Sequence, residues 1–385
     1  MRKVLIVSDS TRVGGIQKSL INMLNLIDYK KYSIDLLLFN DNHTESINNN
    51  VKILPSNKLL RIIGSTSEEL NNANLLDCSL RKILSFLCRV FGSNFIFSFL
   101  YKFISIDGKY DVAISYSNNV NEKSMYFGYN KFVIERVKAY KKKCWIHVDY
   151  LSRKRTKIEE QEFLKMDEII LVSNACKRNF EMVYPEFRNK TRVVYNMVNR
   201  NDIIKQSDEK ISNEIFDGNV FKIISIGRIE KNKNINSQIL IAYKLKQAGL
   251  KFKWYVIGNG NDFIKIKKEI LKLNIDDCFL LLGEKKNVYP YINSSSLLVS
   301  TSLSESFGLT IVEALMLNVP ILALNYPTLK ELVPQDCICD DVDQLYQKIL
   351  LMLKNKKVYN SYRSKCQYLI NNSIVIKQIN DVLGD

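Results

Sequence analysis

The feature that most constrains this chain is a pair of carboxylates, Glu305 and Glu313, placed on either side of a predicted helix start. The apolar run Leu297–Val299 predicts a strand buried on both faces, and the polar stretch after it predicts a loop. Gly308 allows the backbone to turn into the segment Leu309–Leu317, which has the composition of a buried helix. The sequence therefore predicts a strand–loop–helix unit with one acid in the loop and the other in the helix.

A carboxylate such as Glu313 is costly to bury unless it is charge-paired or hydrogen-bonded, so we expect hydroxyls or amides to meet it. The first-turn amides near Gly308 to Thr310 have no partners inside the helix and favour an anion. A long ligand with hydroxyls at both ends and negative charge in the middle, such as a nucleotide sugar, matches this layout. The spacing alone leaves an alternative equally open, in which Glu305 is a solvated loop acid and Glu313 a core acid paired with Lys or Arg.

The overall composition bounds the possible partners. A chain of 385 residues is long enough for two domains with separate cores. The net charge of +16 favours an acidic partner or surface, such as nucleic acid, anionic lipid or a phosphate-bearing substrate, although a generally lysine-rich proteome also explains it. Eight scattered cysteines without C-x-x-C spacing, and an N-terminus unlike a secretory signal, predict reduced thiols and a cytoplasmic location. With two histidines in total, a histidine-rich metal centre is excluded.

The stretch ESFGLTIVE resembles the Glu-x7-Glu motif of glycosyltransferase family 4, whose members have the two-domain GT-B fold. The resemblance implies that Glu305 contacts the transferred sugar and that Glu313 holds the ribose of the donor. Ser306 stands where the family more often has Gly, and Asn318 replaces the Gly of its Ala-x-Gly-x-Pro element. The other donor-binding residues implied around the helix start are Phe307, Gly308, Leu309 and Thr310.

Two further segments of the second half resemble the same family. GRIEKNKN resembles its Gly-Arg-Leu-x-x-x-Lys-Gly motif, which implies that Gly227 lies at the donor and that Arg228 and Lys233 bind the diphosphate. Without the resemblance, a lysine-rich loop is usually a solvated surface. GNG resembles the family's Gly-x-Gly turn, and the loop after the next strand commonly frames the base, which adds Gly258 and Gly283 to the donor-binding set.

The first half carries two weaker resemblances. TRVGGIQKSL resembles the family's first loop, which implies that Gly15 approaches the donor phosphate and Gly14 the acceptor, with Gln17-Lys18 in place of Glu-Arg. The GxGxxG dinucleotide fingerprint is absent. WIHVDY resembles the segment whose His hydrogen-bonds the donor sugar, which implies this role for His147 and an acceptor-side role for Asp149. A lone His at a strand end is otherwise more often structural.

The apolar segment Leu80–Ile106 is a poor candidate for a membrane span because Arg89 interrupts it and Gly92–Ser93 is predicted to break the helix. Two interpretations remain open. We favour core helices of the first domain; the alternative is a helix pair lying on a membrane surface, and part of the segment can do both. The cations that flank or punctuate the segment are Arg81, Lys82, Arg89 and Lys102.

The predicted fold class is α/β, with two doubly wound, Rossmann-like domains facing a central cleft, as the GT-B resemblance implies. We expect an acceptor-binding domain at residues 1–198, a polar linker at 199–219 and a nucleotide-sugar-binding domain at 220–365. A C-terminal helix at residues 366–385 is expected to cross back to the first domain.

Together the resemblances imply a retaining glycosyltransferase of the hexosyltransferase type (EC 2.4) that uses a nucleotide sugar, expected to be a UDP-sugar. The basic charge and the segment Leu80–Ile106 favour a lipid-linked glycan as the acceptor, as in capsule, O-antigen or exopolysaccharide assembly, and a soluble acceptor is the alternative. No cofactor or divalent metal is expected, and the protein is expected in the cytoplasm or peripherally on the inner membrane face. Nucleic acid is not an expected partner because no basic motif interleaved with aromatic residues is present. The alternatives are a non-catalytic GT-B-fold protein that binds an acidic polymer, and a sugar-nucleotide hydrolase or epimerase.

Overall fold

A computed structural model of the chain describes residues 1–11, 14–41, 47–119, 121–211, 216 and 220–384. The described residues form two compact units. The first contains residues 1–197 together with those from Asn372 on, and the second contains Val198–Asn371. Each unit is built on a parallel sheet with helices on it, so the predicted α/β class with two Rossmann-like domains is confirmed.

The sheet of the first unit has, in the described residues, seven parallel strands in the order β3-β2-β1-β4-β5-β6-β7. The apolar residues Val4–Val7 of the central strand are fully buried, as expected for a parallel strand covered on both faces. The strand order reverses between β1 and β4. The strands are β1 (Arg2–Ser8), β2 (Tyr32–Leu38), β3 (Lys52–Leu54), β4 (Tyr110–Ser115), β5 (Ala139–Ile146), β6 (Glu168–Leu171) and β7 (Thr191–Val193).

Eight helices precede the second unit in the described residues, and the fourth and fifth occupy the predicted apolar segment. The predicted break at Gly92–Ser93 is confirmed, because one helix ends at Phe91 and the next begins at Ser93, with Gly92 at φ 83° between them. The helices are α1 (Gly15–Leu26), α2 (Lys58–Gly64), α3 (Ser67–Ala73), α4 (Leu75–Phe91), α5 (Ser93–Leu100), α6 (Tyr129–Arg136), α7 (Lys157–Leu164) and α8 (Asn174–Val183).

The second unit has, among its described residues, six parallel strands in the order β10-β9-β8-β11-β12-β13. The strands are β8 (Phe221–Ile226), β9 (Phe252–Ile257), β10 (Phe279–Gly283), β11 (Leu297–Ser300), β12 (Ile321–Leu324) and β13 (Ile338–Cys339). The helices are α9 (Arg200–Ser207), α10 (Ile235–Gln247), α11 (Phe263–Lys272), α12 (Tyr289–Asn293), α13 (Leu309–Met316), α14 (Leu329–Leu332), α15 (Val342–Lys354) and α16 (Lys356–Lys365).

The segment 199–219, predicted to be a linker, differs from that expectation because it contains α9. Asn199 caps this helix by accepting a hydrogen bond from the Asp202 amide, and Ile203 is buried. The helix packs on α12 and α13 of the second unit, where the Asn287 side chain donates to Gln206 O at 2.8 Å. The sequence of this segment is mainly polar, and only one narrow side of the helix is apolar, so the composition predicted a linker instead of a helix. Residues 212–215 and 217–219 of the predicted linker lie outside the described residues.

The C-terminal helix expected at residues 366–385 begins at Asn372 and not at residue 366. The helix α16 ends at Lys365, and a final helix, α17 (Asn372–Gly384), begins after an extended segment in which the Leu369 amide donates to Leu332 O at 3.0 Å. The two helices have different environments, since α16 has no fully buried residue whereas α17 buries one apolar face. The helix α17 belongs to the first unit.

A buried lysine holds α17 against the sheet of the first unit. The ammonium of Lys143, on β5, donates to Val382 O at 2.7 Å and pairs with Glu168 Oε2 at 2.9 Å. Two residues earlier on the same strand, Lys141 pairs with Asp167 at 3.3 Å, but that pair is largely exposed. Within the described residues, no helix has both the length and the apolar character needed to cross a membrane.

We predict that Lys143→Met lowers the free energy of unfolding by about 2–3 kcal/mol, because it leaves a buried carbonyl and a buried carboxylate with fewer partners. Limited proteolysis should also release α17 more readily. Lys141→Met removes the same charge from an exposed pair of the same strand and should cost less than about 1 kcal/mol. Equal losses in chemical denaturation would contradict the role assigned to Lys143.

Candidate active site

The site of the second unit lies where its strand order reverses, between β8 and β11. Open parallel sheets bind ligands beyond the carboxyl ends of their strands at such a point. The loop after β8 carries Gly227, Arg228 and Lys233, and the loop after β11 carries Glu305. The sheet therefore brings two segments that are about seventy residues apart in sequence to one edge.

The central contact of this site is an ion pair between Lys233 Nζ and Glu305 Oε1. The Ser302 hydroxyl donates to the same carboxylate oxygen at 2.7 Å. Both side chains of the pair are only about one quarter exposed, so water screens the attraction less than at an open surface. Lys233, predicted to bind the diphosphate, and Glu305, predicted to contact the sugar, are thus in direct contact.

Two further hydrogen bonds, both involving Asn232, join the two loops next to this pair. The Leu303 amide donates to Asn232 O at 2.9 Å, and the Asn232 side chain donates to Ser304 O at 2.9 Å. Thr328 fixes the other end of the Glu305 loop, since its hydroxyl donates to Glu305 O at 3.1 Å. The sequence analysis did not assign roles to Asn232 or Thr328. The polar composition of the loop gave no sign of which side chains hold it.

Three predicted glycines meet at the carboxyl ends of β8, β9 and β10. The Gly258 amide donates to Gly283 O at 2.9 Å, and a Cβ added at Gly258 would lie 2.0 Å from Gly227 O. A side chain at Gly227 would in turn lie 3.0 Å from Lys233 Cε. Glycine is therefore required at Gly258 by the close approach of two backbones. These contacts bring the predicted glycines to the loop that carries Lys233.

The amino end of α13 faces the same loops. Gly308 adopts a left-handed conformation, with φ 90°, and no side chain among the described residues caps the helix, so its first-turn amides around Leu309 are available to a ligand. Thr310 lines a small pocket together with Gly227, Lys233 and Ser302. The adjacent Phe307 is buried.

A buried tyrosine lies beneath this turn. The hydroxyl of Tyr326 would be 2.8 Å from a Cβ at Gly308, and it has no hydrogen-bond partner in the part of the chain that the structure describes. Burial, and to a smaller extent the charge of Glu305, raises the pKa of Tyr326 well above its usual value. The tyrosine therefore stays neutral beside the carboxylate.

Glu313 is buried one turn into α13, as predicted. The Tyr289 hydroxyl donates to Glu313 Oε1 at 3.4 Å, which meets the expectation that a hydroxyl would face this acid. Burial, followed by the charge of Glu313, raises the pKa of Tyr289. Sequence reasoning missed Tyr289, because it lies on a separate short helix with no motif around it. At the other end of α13, Asn318 takes the left-handed conformation, with φ 56°, that glycine would otherwise supply.

Arg228 does not join the Lys233–Glu305 pair in this structure. Its side chain is 79% exposed, and its guanidinium pairs with Glu230 at 3.1 Å. Among the described residues, no group of three His, Cys, Asp or Glu side chains is arranged to hold a metal ion.

In the first unit, His147 is buried just beyond the end of β5. Its ring stacks on Trp145, with 6.2 Å between centroids and 7° between planes, and lies 4.6 Å from the Tyr116 ring. Burial lowers the pKa of His147 to about 3, and a hydrogen bond to the Tyr116 backbone opposes this lowering only in part. The imidazole is therefore neutral at physiological pH, and its Nε2 atom has no partner among the described residues.

The remaining predicted residues of the first unit lie at a turn and at a helix start. The Asp149 carboxylate accepts hydrogen bonds from the Leu151 amide at 3.1 Å and from Asn179 Nδ2 at 2.8 Å, so it caps a short turn. Gly14 and Gly15 lie at the start of α1, and Gly14 is in an extended conformation.

Next to this helix start, the Gln17 amide donates to both oxygens of Asp9 at 3.1 Å. Asp9 also accepts a hydrogen bond from the Ser117 hydroxyl at 3.0 Å. Sequence reasoning did not single out Asp9, although it directly follows the first strand.

Comparison with known proteins finds similarity to glycosyltransferases. Residues 206–372 match the family described as Glycosyl transferases group 1. An uncharacterized glycosyltransferase of Methanocaldococcus jannaschii is 29% identical over 48% of this chain and 47% of its own length. An N-acetylgalactosamine-N,N'-diacetylbacillosaminyl-diphospho-undecaprenol 4-alpha-N-acetylgalactosaminyltransferase of Campylobacter jejuni is 24% identical over 51% of this chain and 54% of its own. The chain thus spans about half the length of the curated relatives it matches.

Solved structures match over the whole length and confirm the GT-B fold. The Anabaena protein HepE, in complex with UDP and glucose, superposes with a TM-score of 0.68 at 16% identity, covering 100% of both chains. A glycosyltransferase from Rickettsia africae superposes with a TM-score of 0.63 at 14% identity, covering 99% of this chain and 97% of that one.

The buried histidine generates a prediction about stability. Between about pH 6.5 and pH 3 the unfolded chain binds a proton at this position and the folded chain does not, so the free energy of unfolding falls as the pH falls. From about pH 7.5 to about pH 5, His147 should account for a loss of about 2 kcal/mol. Chemical denaturation at both values should show that His147→Gln removes this loss. An unchanged pH dependence would mean that the folded imidazole still takes up a proton.

Proposed function

We propose that this protein is a retaining glycosyltransferase that moves a sugar from a UDP-sugar to a hydroxyl of a lipid-linked glycan. The observation that carries the proposal is the contact of Lys233 with Glu305 beside the uncapped amino end of α13. A cation, a carboxylate and free helix amides are the groups that a diphosphate joined to a sugar requires. The buried Glu313 on the same helix adds a carboxylate suited to two neighbouring ribose hydroxyls.

The donor diphosphate would bind Lys233, the first-turn amides of α13 and, after rearrangement of its exposed side chain, Arg228. Lys233 would then bind the phosphate in place of Glu305 or in addition to it. The Glu305 carboxylate would thereby become available to the sugar hydroxyls. The nucleobase of the donor would lie near Gly283. The choice of UDP is supported by the complexes of HepE with UDP and with UDP-glucose, since HepE has the same fold.

In the proposed reaction, the bond between the sugar C1 and the diphosphate oxygen breaks, and its electrons leave with the diphosphate. Lys233 and the helix amides stabilise this developing charge by electrostatic catalysis. The acceptor hydroxyl attacks C1 from the face that the diphosphate leaves, and its proton passes to a donor phosphate oxygen. This front-face path retains the configuration at C1, and it requires no divalent metal.

The proposed acceptor is a hydroxyl of a lipid-linked glycan. A lipid-linked glycan of cell-surface polysaccharide assembly is supported by the Campylobacter jejuni relative, whose name includes diphospho-undecaprenol. The protein would then act peripherally at the inner face of the membrane. In the first unit, the neutral His147 is suited to hydrogen-bond a sugar hydroxyl rather than to act as a general base at neutral pH.

We predict that UDP binds more tightly than GDP or ADP in calorimetric titrations at moderate salt. Lys233→Ala should weaken UDP binding by about tenfold to a hundredfold, because a charge-assisted hydrogen bond is lost. Glu313→Gln should weaken it by about tenfold for a similar reason at the ribose.

The matched control is Lys231→Ala, which removes the same charge two residues away from an exposed position of the same turn. It should change UDP affinity by about twofold or less. If Lys231→Ala and Lys233→Ala weaken binding equally, and all three nucleotides bind alike, the site is a general polyanion surface and the donor assignment is wrong.

A second prediction concerns turnover with a panel of UDP-sugars and a lipid-linked glycan extracted from membranes. Glu305→Gln should lower kcat by about a hundredfold or more, while UDP binding is kept or strengthened because Lys233 loses its competing partner. Nuclear magnetic resonance of the product should show the anomeric configuration of the donor. A metal chelator should leave the rate unchanged.

The control for turnover is Asp276→Asn, an exposed acid of the same unit that lies before β10, at the amino end of that strand. It should behave as the wild type. UDP release that does not depend on the glycan would favour a sugar-nucleotide hydrolase. Tight UDP binding without any turnover, insensitive to Glu305→Gln, would favour a binding protein.

A further inference from the structure

The helix α4 buries an arginine and exposes a row of apolar residues, which is the reverse of the usual arrangement. Its inner face buries Arg81, whose guanidinium donates to Ile62 O at 2.7 Å and to Ile63 O at 2.8 Å. Its outer face exposes Ile83, Phe86 and Val90, which recur at three and four residues and so lie on one side of the helix. The buried face, which also contains leucine and cysteine, packs in the core of the unit. Packing in the core does not explain why the outer face is apolar.

The next helix continues the same feature. Phe97 and Tyr101 point into the core, whereas Phe95 and Phe99 of α5 are exposed, and Phe103 after it is exposed as well. The rings of Phe99 and Phe103 contact each other, with 5.3 Å between their centroids. Soluble surfaces tolerate single exposed phenylalanines, but a cluster of this size marks an interaction site. We call the outer face of α4 and α5 the apolar face; it consists of Ile83, Phe86, Val90, Phe95, Phe99 and Phe103.

Exposed cations accompany the apolar face. Lys82, Arg89 and Lys102 are exposed and form no ion pair with any residue that the structure describes. The acidic side chain within the segment 75–103, Asp77, is already paired with Lys58 at 3.0 Å. The charge of this surface is therefore positive.

We propose that the apolar face binds the surface of an anionic lipid bilayer, with its aromatic side chains in the interfacial region and its cations against the headgroups. Exposed aromatic residues with interleaved lysine and arginine are what an interfacial helix requires, because the rings enter the acyl boundary and the cations stay in water. This inference does not depend on the proposed transferase activity. It resolves the two interpretations of the segment by assigning one face of each helix to the core and the other to the bilayer.

The charges disfavour a second copy of this chain as the partner of the face. A symmetric interface would bring Lys82, Arg89 and Lys102 of two chains together, and the segment offers no unpaired acid to compensate them. An anionic bilayer supplies the missing negative charge along with an apolar phase.

The test is co-sedimentation of the full chain with vesicles of phosphatidylcholine alone and with vesicles that contain equal parts of phosphatidylcholine and phosphatidylglycerol. The wild type should sediment with the anionic vesicles and much less with the neutral ones. Phe86→Ser/Phe95→Ser should weaken the partition by about tenfold or more, because two large apolar side chains no longer enter the interface. Lys82→Gln/Arg89→Gln should weaken it by about tenfold, and mainly at low salt.

A matched control separates the face from general surface hydrophobicity. Phe86 and Phe95 are 63% and 67% exposed, and Leu164 and Met182 elsewhere in the same unit are 60% and 69% exposed. Leu164→Ser/Met182→Ser should leave vesicle binding unchanged. All variants should keep the UDP affinity of the wild type, so a failure of the membrane proposal is distinguishable from a failure of the donor site.

A conservative variant gives a readout that does not rely on lost binding. The two native tryptophans, Trp145 and Trp254, are buried. Phe95→Trp should therefore add an emission that shifts to shorter wavelength with anionic vesicles. An unshifted Phe95→Trp emission, or equal sedimentation of the wild type and Phe86→Ser/Phe95→Ser, would overturn the proposal. The proposal would also be overturned if light scattering showed a wild-type dimer that Phe86→Ser/Phe95→Ser dissociates and the wild type did not bind vesicles.

Discussion

The ion pair between Lys233 and Glu305 is the contact on which the arrangement of the second unit's site depends. Either charge alone in this partly buried position would lack a charged partner, and hydrogen bonds from Leu303 and Asn232 also join the two loops. The same two groups are the ones that a phosphorylated sugar would separate.

Much of this architecture was predictable because it rests on local patterns. Short apolar runs identified the buried strands, and the break at Gly92 followed from a glycine in an apolar helix. In the second unit, the family resemblance assigned Lys233, Glu305 and the glycines to one site, and the structure brings them to one edge of the sheet. Parallel strands made this possible, since every loop after a strand ends at the same edge of the sheet.

The remaining features depend on contacts between residues distant in sequence. Tyr289 reaches Glu313 from another helix, and Thr328 holds the Glu305 loop from beyond β12. The helix α9 was missed because its stability comes from packing on α12 and α13 rather than from its own composition. The burial of Arg81 was also not predictable, because nothing in the neighbouring sequence indicates that this arginine is buried while nearby phenylalanines are exposed.

The position of α17 affects how the protein is made. The chain leaves the first unit at Met197 and returns to it only at Asn372, so a ribosome must synthesise the whole second unit before the first can complete its core. Until then, the buried Lys143 lacks the carbonyl of Val382, and the surface that packs on Val375 and Ile379 is uncovered. The second unit, which is continuous in sequence, is free to fold before the first unit is complete.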